Sequence, residues 1–546
     1  MLPSGLPGNA LPGEAERMDE AMKQPMPAAD HTSPHLRRIG VALCGLLLVA
    51  FAVTWGAHVG APYSFDHDEG VYLMSARMVM LGDPLFTAVF SSQPPAFLIL
   101  LARAFRGVGD TVAVGRGVMV GSAVLTLGAV AWIAWHLAGP LGAPVAILSL
   151  GLLSLFFRQA RIVQAELPAL GWGLLAIAAL LTFRRTGRRA WLAGGGASFA
   201  MAVLCKLFVA PLLVPVLVLL TLAAGPAAPA RWRFLPADRT GLCELGRRLL
   251  VFGLAGLPVA LALVLRADFA ALYDQVVRYH LVMRTVFPHD RAHNLALLAF
   301  LLRPELGSLA LAAAGLVALG WTNPLAAAWL GLWTLATVGF VLEHAPLAPQ
   351  HVVLVLPPVA VAAAASVRWF LLWGRLRWSR LLVALLACPL VVGYGPGPRL
   401  SWTFQRNAEL LAEPFPFQEQ EDEAVRAIQQ HTRPTDYVVS EEPMQVFRAG
   451  RRMPPLLCDM SAARLQTKYL TAPQAIAASH PARMVIFWGD ELANLRGYRD
   501  WVRANFRLVG ELNGPRGWIK EIYVRADEPR ARPSYRPEAL DGLPIR

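Results

Sequence analysis

Three carboxylates crowd into four residues, Asp66, Asp68 and Glu69, just beyond the first long apolar stretch of the chain. A carboxylate at a membrane–water boundary holds its proton more readily than one in water, which suits it to proton transfer near neutral pH. A plainer reading stands beside it: Asp68 caps a helix and complements its dipole. Three acidic groups exceed what one cap needs. A fourth carboxylate, Glu166, stands two residues before Pro168 at another helix start, where a negative charge is favourable on its own account. Lys206 lies between two apolar segments, and an ammonium there is costly and usually functional. His351, after Pro349-Gln350, reads equally as a hydrogen-bonded helix cap or as a site residue.

The elements that must position these groups are membrane helices. Of the 546 residues, 55% are hydrophobic and only 16% charged, with a mean hydropathy of +0.46. No soluble domain hides that much apolar surface, and apolar runs of about eighteen residues or more recur up to about residue 395. The net charge of +13 raises the question of nucleic acid. The arginines, however, cluster between apolar spans instead of forming one stripe, which argues against a nucleic-acid partner. Only one of the five cysteines, Cys458, falls in the C-terminal region and no CxxC occurs, so neither an internal disulfide there nor a zinc or redox site is expected.

About eleven spans are expected, near 39–57, 112–137, 141–157, 167–183, 190–204, 207–224, 248–265, 305–320, 324–341, 352–370 and 380–395. The fifth and sixth read as a hairpin broken at Cys205-Lys206 and Pro211. A long leading tail without a small-x-small site favours an uncleaved first span. Four arginine clusters fall in alternate loops: Arg37/Arg38, Arg184/Arg185/Arg188/Arg189, Arg231/Arg233/Arg239/Arg247/Arg248 and Arg368/Arg375/Arg377/Arg380. Their loops are expected to be cytoplasmic, which places the N-terminus inside and the C-terminus outside. The other loops, 58–111, 158–166, 266–304 and 342–351, then face outward with most of the acidic residues and histidines. In the first of these, Gly70–Leu81 reads as an interfacial helix with Val71, Met74, Met78 and Leu81 on one face, Gly82 as C-cap and Pro84 as stop.

Four parts result: a disordered cytoplasmic tail, 1–36; a polytopic α-helical membrane domain, 37–400; an extracytoplasmic α/β domain, 401–525; and a disordered tail, 526–546. The third is expected to hold a helix over Phe417–His431 and strands over Asp436–Ser440, Arg483–Trp488 and Gly517–Val524.

The order of motifs resembles a known family. An apolar span, then Asp68-Glu69, a helix ending in Leu81-Gly82-Asp83-Pro84, then Pro94-Pro95 opening another helix is similar to the polyprenyl-phosphate-dependent glycosyltransferases of the GT-C fold. The branch it resembles is glycosyltransferase family 39, the dolichyl-phosphate-mannose–protein mannosyltransferases, with the lipid A aminoarabinose transferase nearby. Arg161-Ile-Val-Gln-Ala-Glu166-Leu-Pro168, Lys206 and Pro349-Gln350-His351 before Pro357-Pro358 extend the likeness over nearly the whole chain. Two positions depart from it: Gln93 stands where the family has Lys before Pro-Pro, and Glu166 where it commonly has Asp.

The resemblance implies transfer of a hexose, such as mannose, from a polyprenyl-phosphate donor to a protein, glycan or lipid acceptor, with inversion. It implies Asp68 as general base, Glu69 as its support or a sugar ligand, and Glu166 as second carboxylate. Asp66, Gln93, Lys206, Arg303 and His351 become substrate-binding candidates, with Arg291 a further cation and Arg158 and Arg161 read as interfacial snorkelling. No cofactor is expected beyond the lipid-linked donor, and nothing in the sequence requires a divalent metal. Composition, with few lysines, many Arg, Ala and Gly and no organelle signal, points to a bacterial plasma membrane. The alternative from another class is a lipid-linked sugar transporter or flippase, which expects mid-membrane charges and an inverted repeat, whereas the charges here are mostly interfacial and no inverted repeat stands out. A non-catalytic scaffold is argued against by the Asp68-Glu69 loop.

Overall fold

The computed structural model describes residues 34–61, 66–226, 232–373, 405, 407, 409, 418–513 and 519–526. The expected span 380–395, most of the leading tail, the trailing tail and the arginines at 231, 375, 377 and 380 lie outside those residues.

In chain order the membrane part runs α1 (Pro34–Gly56), α2 (His67–Leu81), α3 (Ala96–Val108), α4 (Val112–Ala138), α5 (Gly142–Gly151), α6 (Ser154–Gln159), α7 (Glu166–Thr186), α8 (Arg189–Cys205), α9 (Leu213–Thr221), α10 (Arg239–Val264), α11 (Phe269–Tyr273), α12 (Tyr279–Val286), α13 (Arg291–Leu302), α14 (Leu306–Thr322), α15 (Pro324–Glu343) and α16 (Leu356–Trp373). Among the described residues, seven stretches are long and apolar enough to cross a membrane: α1, α4, α7, α10, Arg291–Thr322, α15 and Pro349–Val367. In their most apolar windows α7 and Pro349–Val367 are 83% buried and α10 only 11%, so the first two form the bundle centre and α10 is peripheral.

Three expectations change. The span expected over 141–157 is broken: α5 ends at Gly151, Leu153 turns extended, and α6 restarts at Ser154. Gly151 sits against the Phe51 ring of α1, where a side chain would collide. A remote carboxylate, Glu305, accepts the Ser154 N–H at 3.0 Å and so closes the start of α6. Next, α2 begins at His67 instead of Gly70, because Asp66 is its cap. Finally, α2 presents no wetted face over its middle turns. Leu73 to Met78 are all buried, between the membrane helices and the C-terminal domain. The expected break at Lys206 is present: α8 ends at Cys205, Lys206 is extended, and a 3-10 segment over Leu207–Leu212 contains Pro211.

The C-terminal domain contains α17 (Gln418–His431), β1 (Tyr437–Ser440), α18 (Pro443–Arg448), α19 (Ala462–Gln466), α20 (Ala472–Ser479), β2 (Ala482–Phe487), α21 (Tyr498–Asn505), β3 (Phe506–Asn513) and β4 (Ile519–Arg525). The sheet order is β1-β2-β4-β3, with β1 parallel to β2 and the other pairs antiparallel. Val439 lies opposite Val485, and Ile486 opposite Ile522, at the apolar centre. The edge strand β3 was not expected from sequence; half of its residues are exposed and only Phe506 and Leu512 are buried, so no apolar run marks it.

This domain is docked on α2. At Gly70 a Cβ would fall 2.5 Å from the Met444 backbone nitrogen, so only glycine allows the approach. Arg77 fastens the junction: its guanidinium donates to the Phe447 carbonyl at 2.9 Å and to Asp110 at 2.6 Å, and lies 3.7 Å from the Phe447 ring centre.

Candidate functional site

The first turn of α2 sorts the three neighbouring carboxylates into three environments. Asp66, extended at the N-cap, accepts the Asp68 N–H at 3.0 Å. Consecutive helical residues point about 100° apart, so Asp68 and Glu69 diverge. Glu69 turns inward and is fully buried. Its two oxygens accept from Arg116 of α4 at 2.8 Å each, and one also accepts the Val163 N–H at 3.3 Å. Arg116 in turn donates to the Ala61 carbonyl at 2.8 Å. One ion pair thus ties α2, α4, the segment after α1 and the segment that leads into α7.

Asp68 turns the other way and stays partly exposed. Gln350 Nε2 donates to it at 3.4 Å. Burial raises its carboxyl to about 6, helped by the charges of Asp66 and Glu166 and opposed by His67 and Lys206. The capping role open to Asp68 on sequence grounds therefore belongs to Asp66.

Glu166 opens α7 and is 2% exposed. Its Oε1 accepts from Lys206 Nζ at 2.5 Å and lies 3.7 Å from His351 Nε2, while Oε2 has no hydrogen-bond partner among the described residues. His351 Nδ1 accepts the Ala348 N–H at 3.2 Å, so a neutral ring carries its proton on Nε2, facing Glu166. Both sequence readings of His351 thus meet in one side chain, which caps the 3-10 turn Pro349–Val355 and borders a carboxylate.

Adjacent residues of that one turn, Gln350 and His351, face Asp68 and Glu166 respectively. His344 packs edge-to-face on His351 at 4.4 Å. Burial, with Lys206 and His280 nearby, lowers His344 to about 4. His280 is lowered by burial as well, partly offset by its hydrogen bond to the Val276 carbonyl. Lys206 therefore lies near His280 and His344, pairs with Glu166, and its charge also reaches Asp68.

The C-terminal domain completes the surroundings. His67 lies 3.3 Å from Glu442. Desolvation opposes protonation of this ring, but Glu442, Asp68 and Asp459 outweigh it and raise the imidazole to about 10. Tyr469 of the same domain donates to Asp274 Oδ1 at 3.3 Å and joins Phe90 and Tyr279 in an aromatic cluster.

The remaining candidates fall elsewhere. Gln93 donates to Ser92 within its own loop at 3.2 Å. Arg303 is exposed at the start of a 3-10 turn, and Arg291 pairs with Glu343 at 2.5 Å. Arg158 is exposed within reach of Asp66, whereas Arg161 is 1% exposed and so is no snorkelling residue. Sequence reasoning missed Arg116, His280, His344 and Glu442 as neighbours of the site. Arg116 stands in α4 as an arginine amid apolar residues, and that isolation was the available signal.

No family profile matches this sequence, and no curated protein does. Solved structures do match by shape. The apo structure of ArnT from Cupriavidus metallidurans superposes with a TM-score of 0.60 at 15% identity, covering 88% of this chain and 97% of that one. Its undecaprenyl-phosphate complex matches with a TM-score of 0.60 at 16% identity, covering 88% and 98%. AglB from Archaeoglobus fulgidus, an archaeal oligosaccharyltransferase, overlaps more loosely, with a TM-score of 0.48 at 12% identity over 90% of this chain and 74% of that one. The chain is a multi-pass membrane protein of the GT-C fold, with a small C-terminal sheet domain docked over its acidic end.

Proposed function

We propose that this protein is a glycosyltransferase that moves a sugar, such as mannose or a related hexose, from a polyprenyl-phosphate donor to an acceptor, with inversion. The observation that carries this reading is the placement of Asp68 and Glu166 within electrostatic reach of each other. They stand on separate elements at one end of the helices and are contacted by adjacent residues of one turn. In the proposed reaction Asp68 takes the acceptor's proton while the acceptor oxygen or nitrogen attacks the anomeric carbon. The bond from that carbon to the phosphate oxygen breaks, and the phosphate leaves with the electron pair. Lys206 supplies positive charge for the leaving group, with His351 beside Glu166 as a hydrogen-bond donor. The unpaired Oε2 of Glu166 receives a substrate hydroxyl. Glu69, paired with Arg116, holds the first turn of α2 in place, and Asp66 caps it and borders the sugar. Undecaprenyl phosphate bound to ArnT of the same fold supports a lipid-phosphate donor.

The protein is assigned to the plasma membrane with its N-terminus cytoplasmic and the C-terminal domain outside, as the arginine clusters indicate. The C-terminal domain then serves as a lid or acceptor selector. A reporter fused after Arg189 is expected inside and one after Gly450 outside. The direct test is incubation of purified protein with polyprenyl-phosphate mannose and a mixed acceptor extract from the envelope. Label is expected in a protein, glycan or lipid product, and its identity separates these acceptors. Failure to consume any polyprenyl-phosphate sugar across a panel of hexoses overturns the reading.

A further inference from the structure

At the ends of α7, α8 and α10 remote from Glu166 and Lys206 the helices enclose a cavity of ≈ 170 Å³. Its lining joins three guanidiniums, Arg189, Arg247 and Arg248, with one carboxylate, Glu244. Arg248 is fixed from behind: it donates to the Leu220 and Leu222 carbonyls at 3.0 and 2.6 Å and to Glu244 at 2.8 Å. Arg247 also pairs with Glu244 and remains exposed, as does Arg189 at the first position of α8. Three cations facing one anion leave this pocket positive, and the N-terminus of α8, which the Arg188 side chain does not cap, adds to that field. Phe183, Leu192 and Val251 form an apolar wall beside them.

A second feature starts at the same place. Leu250, Leu254, Leu257 and Leu261 are 59%, 56%, 48% and 42% exposed. Their spacing of four, three and four puts them on one face of α10, and Arg247, three residues earlier, heads that face. A fixed cationic pocket therefore opens onto an apolar stripe that runs along the peripheral helix. A soluble anion uses only the pocket; a molecule with a phosphate head and a hydrocarbon tail uses both.

We infer that this cavity holds the phosphate of an anionic membrane phospholipid, whose acyl chain lies along the Leu250–Leu261 face of α10. The site is separate from the carboxylate end and stands independently of the transfer chemistry.

Full-length protein in detergent is titrated with phosphatidylglycerol, phosphatidylcholine and inorganic phosphate, with bound lipid read by native mass spectrometry and stability by thermal unfolding. Phosphatidylglycerol is expected to be retained and to raise the unfolding temperature above that in phosphatidylcholine. The double variant Arg189→Gln/Arg247→Gln alters two exposed side chains. It is expected to weaken phosphatidylglycerol retention roughly tenfold or more, while Arg239→Gln, exposed on α10 outside the cavity lining, leaves it unchanged. Equal effects of the two lipids, wild-type retention by the double variant, or displacement of the lipid by an equal concentration of inorganic phosphate each overturn the proposal. The wild-type lipid comparison stands even if the double variant fails to fold.

Discussion

The helices α7 and α8 handle charge in opposite ways at their two ends. At one end Glu166 and Lys206 are both buried, form one ion pair between two elements, and border residues more than a hundred positions away. At the other, Arg184, Arg185, Arg188 and Arg189 are half-buried or exposed, and the neighbouring Glu244 pairs within one helix to Arg247 and Arg248. A buried pair surrenders hydration that its own attraction repays only with good geometry, so few such groups persist and each sits against specific partners. Exposed arginines near a membrane surface cost little and accumulate. The buried Glu166–Lys206 pair thus points to chemistry, and the exposed arginines at the other end to orientation and lipid.

The strongest way to break that contrast is Asp68→Asn. If Asp68 is the base, transfer falls roughly a hundred- to ten-thousandfold at matched amounts of folded protein, with donor binding retained. Helix stability should barely change, because Asp66 is the cap. Wild-type turnover would sink the assignment. Arg116→Met comes next and acts on stability: a fully buried Glu69 deprived of this guanidinium should cost about 3–5 kcal/mol and lower the unfolding temperature markedly. The double variant Glu69→Leu/Arg116→Met should recover much of that loss, and failure to recover any would show that the pair does more than hold the junction.

The pH profile is a smaller effect. With Asp68 raised to about 6, the transfer rate should rise as pH increases through about 6 and then level. Below that it should fall about tenfold per unit. The stability linkage has the opposite sign: the folded state holds this proton more tightly than the unfolded chain, so Asp68 favours folding increasingly as pH falls from about 6 towards 4. A pH-independent rate between 5 and 7 would remove Asp68 as the titrating base. Smallest of all, Asp66→Ala should cost about 1 kcal/mol of stability through loss of the cap, with a mild effect on rate, read by thermal unfolding and initial velocity.

Much of this was legible in the residues themselves. Apolar runs marked the membrane helices because burial in lipid needs length and composition alone. Pro211 and Lys206 marked the break after α8, and the acidic triplet, Glu166 and His351 marked the candidate site. Misses came where packing overrode local pattern. The span expected over 141–157 has apolar composition throughout, yet contact with Phe51 and capping by Glu305 accompany its division in two. Likewise α2 has the residues of an interfacial helix, but the C-terminal domain covers it.

Sequence alone determined the membrane class, the clustering of arginines between apolar runs, and which residue types were available for proton transfer, because hydropathy and charge are properties of each segment by itself. Tertiary structure alone decided how three adjacent carboxylates divide their roles. Asp66 caps, Glu69 disappears into a pair with Arg116 of α4, and Asp68 meets Gln350 from a turn 282 residues later. Those partners are distant in sequence and are chosen by packing, and a carboxylate's proton affinity depends on the charges and dielectric around it, which no local pattern specifies.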